Sequence, residues 1–230
     1  MADFVHLHTH TEYSLLDGLS KILELVTRCQ QLGMKAVAIT DHGAMYGVVP
    51  FYLTCREAGI NPIIGCEFYV AQRSRFDKQP GVDADQYHLV LLAKDRTGYL
   101  NLMKLTTIAH LEGFYYKPRI DTEVLKKYCG GLIALSACLE GEIPALLRMG
   151  EEEKAEKKAK ELAEIFGPDN FYLELQKHPK IPDQDKVNAK VITLSRKLGL
   201  PIVATNDIHY VYPEDAQAQE VLLCVQTKTT

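Results

Sequence analysis

The sequence predicts an α/β fold, a distorted seven-stranded (β/α)7 barrel, on three observations. Short apolar segments alternate with amphipathic helical stretches. The apolar segments carry little polar interruption, as strands buried on both faces do. Several helical stretches end at glycine, in "QQLGMK", "REAGIN" and "RKLGLP". No G-x-G-x-x-G follows the first apolar segment, so an open dinucleotide-binding sheet loses its main support and a closed barrel is favoured.

Taken in order, the expected strands are "FVHLHT", "KAVAIT", "NPIIGCEFYV", "HLVLLA", "LIALSA", "FYLEL" and "PIVATN". Apolar residues spaced by three and four predict helices over 19–32, 46–58, 99–111, 122–128, 143–166 and 185–198. Residues 72–87 form a polar stretch with Gly and Pro, expected as a long loop. "GEEEKAEKKAKELAEIFG" is expected as a solvated helix face with Glu–Lys pairs. "PEDAQAQEVLLCVQTKTT" begins like a helix, with Pro213 in its first turn. It then stops, which suggests one domain, 1–230, cut short of a further region.

The 230 residues are 47% hydrophobic, enough for a sizeable core. The net charge of -4 excludes a domain that attracts nucleic acid as a whole; such binding needs a local basic patch or a metal site. No apolar run approaches the roughly 20 residues of a membrane helix, and "MADFVHLH" lacks the pattern of a secretory signal. A cytoplasmic protein is expected. The six cysteines include no C-x-x-C pair and are expected as free thiols, with Cys29 and Cys55 in the core.

The chemistry gathers at strand ends. His6, His8 and His10 fall at every second position, and residues two apart on a strand share a face about 6.6 Å apart. Neighbouring imidazoles repel when protonated, and a metal removes that conflict by binding the neutral form. "AVAITDHG" adds Asp41 and His42, "IIGCEFY" Glu67, "IALSACLEG" Cys138 and "IVATNDIHY" Asp207 and His209. In a β/α barrel these positions fall on the carboxyl rim, where active sites form. Imidazoles, carboxylates and one thiolate suit zinc, manganese or iron, and their number exceeds one tetrahedral ion, so two or three are expected. Asp41 is placed to orient the ligand histidine beside it. Cys66 alternates to the other face and is left out. Two features stay open: His10 as a rim contact or a loop residue, and "FYYKPRI", with Lys117 and Arg119, as a single-strand contact or a packing surface. His178, after the sixth strand, is a weaker candidate for touching substrate, and His110 is expected to be structural.

The segments "HLHTH" with Asp17, "TDHG", "CEFY", "YHLVLLAK", "SACLEG" and "NDIHY" together resemble the PHP (polymerase and histidinol phosphatase) superfamily. "GYLNLMKLTTIAHLEGFYYKPRID" and "EVLLCVQTKTT" are similar to the branch of that family at the amino end of bacterial replicative DNA polymerases. The resemblance implies a distorted barrel and a trinuclear site of nine ligands. These are His6 and His8, Asp17, His42, the bridging Glu67, His88, Cys138, and the closing pair Asp207 and His209. His88 begins its strand, the wrong end for a parallel barrel, unless that strand runs antiparallel. The implied activity is metal-dependent 3′→5′ exonucleolytic hydrolysis with Asp17, His42 and Asp207 as catalytic residues. The implied partners are a single-stranded DNA 3′ end, a polymerase (nucleotidyltransferase) region in the same chain, and other replisome subunits. A structural metal-binding module and a small phosphate or pyrophosphate hydrolase are the alternatives.

Overall fold

Residues 4–9, expected as the first strand, form no regular ladder. In the computed structural model, which describes residues 4–167, 169–178 and 180–229, they make isolated bridges, His6 beside Val37 and Thr9 beside Ile208. The segment lies between two others. Ala38 N–H donates to His6 O (2.8 Å) and Thr40 N–H to Thr9 O (2.9 Å). On the opposite side Ile208 N–H donates to His8 O (3.1 Å) and His10 N–H to Ile208 O (2.7 Å). The extended stretch is short because the chain turns at once, with Ser14 N–H on Thr11 O and Leu16 at φ 64°.

These segments belong to the first of two compact units, 1–66 with 206–230; the second is 67–205. In the first unit, α1 (Ile22–Gln31) buries Ile22, Leu25, Val26 and Cys29, and α2 (Val48–Glu57) buries Val48, Phe51 and Cys55. The two apolar faces pack on each other and set the thiols of Cys29 and Cys55 in the core. Strand β1 (Ala36–Ile39) pairs parallel with the start of β2 (Asn61–Ala71), Ala36 opposite Asn61 through Ile39 opposite Ile64. A 3-10 turn at Pro213–Asp215 leads into α8 (Ala216–Thr227), whose buried Gln219 donates to Asp17 O.

In the second unit, β2 continues and is followed by β3 (Gln86–Ala93), α3 (Arg96–Leu111), β4 (Arg119–Ile120), α4 (Thr122–Tyr128), β5 (Leu132–Leu135), α5 (Glu142–Arg148), α6 (Glu152–Phe166), β6 (Phe171–Gln176), α7 (Gln184–Leu198) and β7 (Ile202–Thr205). The strand order is β2-β3-β5-β6-β7, with β4 on β2. β5, β6 and β7 are parallel, whereas β3 runs antiparallel to β5, Val90 opposite Leu135. That reversal accounts for His88. The start of an antiparallel strand lies level with the ends of its parallel neighbours, and His88 bridges Gly141, just past β5.

Local signals explain the helix boundaries. Asp95 and Asp121 cap α3 and α4 by accepting Gly98 N–H (2.9 Å) and Val124 N–H (3.2 Å). The single helix expected over 143–166 is two, because Gly150 takes φ 81° and breaks the periodicity. β4 was not expected; two residues carry no periodic signal. The described residues thus form seven strands and eight α-helices, an α/β fold. No helix among them is long and apolar enough to cross a membrane.

Candidate metal centre

The first unit brings six of the expected residues together. His8 Nε2 and His10 Nε2 each stand 3.2 Å from Asp207 Oδ1. His42 Nε2 stands 2.7 Å and His209 Nε2 3.5 Å from Asp17 Oδ2. The rings are nested: His10 lies 4.1 Å from His42 and 4.3 Å from His209, centroid to centroid. One ligand atom each from His8, His10 and Asp207 lies within 4.8 Å of the others, and the same holds of His10, His42 and His209.

Backbone features aim these groups. Asp207 takes φ 50°, a left-handed conformation that an aspartate tolerates better than most residues. Gly18 follows Asp17 because a Cβ there would lie 2.0 Å from Thr11 O, so the turn carrying the carboxylate closes only on glycine. His209 Nδ1 sits 3.0 Å from Asp207 O, an acceptor, so Nδ1 carries the proton and Nε2 faces Asp17.

His10 is fixed by a relay absent from the sequence expectation. Asp41 is buried and accepts from Thr11 N–H (2.6 Å) and Ser14 O–H (2.7 Å) on Oδ1 and from Thr11 O–H (2.8 Å) on Oδ2. Because the one Ser14 hydroxyl proton goes to Asp41, Ser14 Oγ accepts from His10 Nδ1–H at 3.0 Å. That leaves the Nε2 lone pair of His10 pointing at Asp207. Ser14 Oγ also accepts His42 N–H (3.2 Å). Asp41 thus orients His10 through Ser14. Cys66, left out on strand alternation, donates its thiol to Asp41 O (3.3 Å).

The period-two pair in the cluster is His8 and His10. His6 belongs to neither group of three; it packs edge-on against Phe4, with ring centroids 5.0 Å apart, and burial lowers its pKa. The expected pair His6 and His8 is therefore moved on by two residues. The physical reason is the pairing with Ile208, which fixes how far along the segment Asp207 can reach.

The charges are strongly coupled. Burial alone would raise Asp17, but hydrogen bonds from His209 and His42, and their charge, hold it well below the usual carboxylate range. Asp207 shows the same balance: burial raises it, and the imidazoles of His8, His10 and His209 pull it lower. Burial would lower His209, and Asp17 and Asp207 reverse that.

The second unit assembles the other three expected ligands. His88 Nδ1 stands 3.1 Å from Glu67 Oε1 and 3.7 Å from Cys138 Sγ. Of the candidate substrate residues, Lys117 extends its ammonium over the Tyr69 ring, 5.2 Å from the centroid. Arg119 takes the packing alternative. It is 1% exposed and donates to the carbonyls of Gly113, Asp83, Arg75 and Asp77, which makes it a strut for the 72–85 loop. His178 is half-buried, its Nε2 3.2 Å from Gln176 Oε1. His110 lies on α3 beside Phe114, as a structural residue would.

The donor set fits a metal. Asp207 Oδ1 is a buried oxygen with the Nε2 atoms of His8 and His10 both 3.2 Å away. Lone pairs that converge in this way suit a shared cation, and mixed imidazole and carboxylate donors suit zinc, manganese or iron.

The chain is 50% identical to the DNA polymerase III subunit alpha of Thermus aquaticus over 231 residues, 99% of this chain and 19% of that one. It is 48% identical to the same subunit of Treponema pallidum over 226 residues, 98% of this chain and again 19% of that one. The chain thus spans about a fifth of the length of these relatives. A protein from Bifidobacterium adolescentis assigned as a metal-dependent phosphoesterase shares the fold, with a TM-score of 0.55 at 14% identity over 91% of this chain and 89% of that one. An amidohydrolase from Chromobacterium violaceum does so with a TM-score of 0.52 at 13% identity over 95% and 96%. The family model of the PHP domain matches residues 6–178, and with the relatives above it shows that this chain belongs to the PHP domain family.

Proposed function

We propose that the chain is a metal-dependent phosphodiester hydrolase, a 3′→5′ exonuclease acting on single-stranded DNA ends as a proofreading activity in replication. The observation that carries this is the convergence of ligand atoms from His8, His10 and Asp207, and from His10, His42 and His209, each set within 4.8 Å, with Asp17 beside His42 and His209. Two or three ions of zinc, manganese or iron would be held, by these residues in the first unit and by Glu67, His88 and Cys138 in the second. An ion so held supplies Lewis acidity and an activated water.

The chain's own groups do the rest. His8 and His10 are wholly buried, whereas the side chains of Asp17 (17%), His42 (12%), Asp207 (13%) and His209 (22%) are partly exposed. Substrate therefore approaches the side formed by Asp17, His42, Asp207 and His209. Asp17 and Asp207, both held ionised, keep the imidazole Nε2 atoms aligned. Ser14 and His209's own turn fix which nitrogen carries the proton, so no ring has to flip when a ligand binds.

The relatives are named for a polymerase subunit. In this proposal the longer protein is a cytoplasmic DNA-directed DNA polymerase, and the domain works beside its polymerase region and other replisome subunits. A single domain, 1–230, is part of the proposal; within the first unit, residues 6–10 are bonded on one side to 38–40 and on the other to 208.

The test is release of nucleotide from labelled single-stranded DNA by the purified chain with zinc, manganese or iron(II), beside pyrophosphate and histidinol phosphate. Asp207→Asn is expected to abolish release. Unchanged release by Asp207→Asn assigns the activity to a contaminant. No release with any metal, while metal raises thermal stability, leaves a structural metal module.

A further inference from the structure

The turn at 115–117 stands apart from the packing around it. Tyr115 N–H donates to Lys117 O at 3.0 Å, which pinches the chain and puts Tyr116 at φ 59°. A side chain in that left-handed conformation costs about 1–2 kcal/mol, which glycine would remove. The position nevertheless holds a tyrosine that is 69% exposed, its ring 4.6 Å from that of Tyr115. Burial does not account for that ring. Phe114 beside it is also exposed.

The next residue connects this turn to the second ligand set. Lys117 Nζ lies over Tyr69, and the Tyr69 ring meets His88 edge-on with centroids 5.2 Å apart. The other cations of this region are committed: Arg75 to Glu112, Asp121 and Glu123, and Arg119 to four carbonyls. Lys117 forms no ion pair among the described residues.

We propose that this turn is a binding site for single-stranded nucleic acid, with one base stacked on Tyr116 and its phosphate on the Lys117 ammonium. An exposed aromatic next to a cation that no carboxylate holds is the combination that holds single strands without reading their sequence. The strand would then lead toward Glu67, His88 and Cys138. That direction rests on the hydrolase proposed above; the binding itself does not.

The experiment is fluorescence anisotropy of a phosphorothioate oligothymidylate, which resists hydrolysis, with the whole chain over a range of salt concentrations. Tyr116→Ala is expected to weaken binding about 5- to 150-fold, the loss of one stacked base. Lys117→Gln is expected to lower the slope of log affinity against log salt by about 0.7, one phosphate contact on a single strand. Tyr116→Gly should match or exceed the wild type in urea denaturation while binding as poorly as Tyr116→Ala, because glycine loses both the ring and the Cβ that is strained at φ 59°. Wild-type affinity in all three variants, or no binding by the wild type, overturns the proposal. The second outcome would point instead to a surface covered by the remainder of a longer chain. Turnover of bis-p-nitrophenyl phosphate by the wild type tests the hydrolase separately, so failure of one reading is not mistaken for failure of the other.

Discussion

Ser14 shows how much one hydroxyl can decide. Its proton goes to Asp41 and its oxygen takes the proton of His10 Nδ1, so a buried carboxylate sets the tautomer of an imidazole it never touches. Ser14→Ala removes that constraint and little volume. Zinc affinity is expected to fall about 10- to 100-fold, as for other partners of ligating histidines, read by competition with a chelator. The nitrogen NMR spectrum of His10 should change from one neutral tautomer to two. A single tautomer in the variant would end this role for Ser14. The period-two histidines were legible as residues on one face, but not which two of the three would meet Asp207. That depends on pairing with Ile208, some two hundred positions away, which no local pattern encodes. Ser14 was missed for a related reason: a serine four residues after a histidine looks like any turn residue until Asp41 is placed beside it.

At the scale of elements, the polar 72–85 loop is ordered from inside the fold. Arg119 on β4 holds the carbonyls of Asp83, Arg75 and Asp77, and Arg73 clamps Asp83 at 2.6 Å. Arg119→Met would leave those buried carbonyls without donors and is expected to cost about 3 kcal/mol in urea denaturation, with faster proteolysis inside the loop. The packing of α1 on α2 has a chemical signature. Burial raises the Cys29 thiol to about 11 and, with the charge of Cys29, Cys55 to about 12. Raised values keep both protonated at pH 8, so iodoacetamide should spare them in the native chain and alkylate them only after unfolding. Mass spectrometry reads the difference, and native alkylation at either thiol refutes the packing. The helices were legible because their apolar spacing and glycine stops are local. The direction of β3 was not, because antiparallel pairing with β5 is decided by a partner forty residues on.

For the whole molecule, metal and fold should be linked. Ligand binding to the native state alone adds about 2.7 kcal/mol at a hundredfold excess over the dissociation constant. Thermal unfolding of the chelator-treated chain is therefore expected at a clearly lower temperature than with zinc or manganese, and elemental analysis should count two or three ions per chain. One ion or none would remove the nine-ligand reading.

The first unit is also discontinuous along the chain: Gln219 bonds to Asp17 across 202 residues. Closing a loop of that size costs about 5 kcal/mol of chain entropy. During translation the amino-terminal imidazoles leave the ribosome long before Asp207 and His209 exist to meet them. A nascent chain therefore carries histidines that can capture a stray ion in the wrong company, and the correct centre can form only once nearly all of this stretch has been made. Metal loading should follow the synthesis of Asp207 and His209.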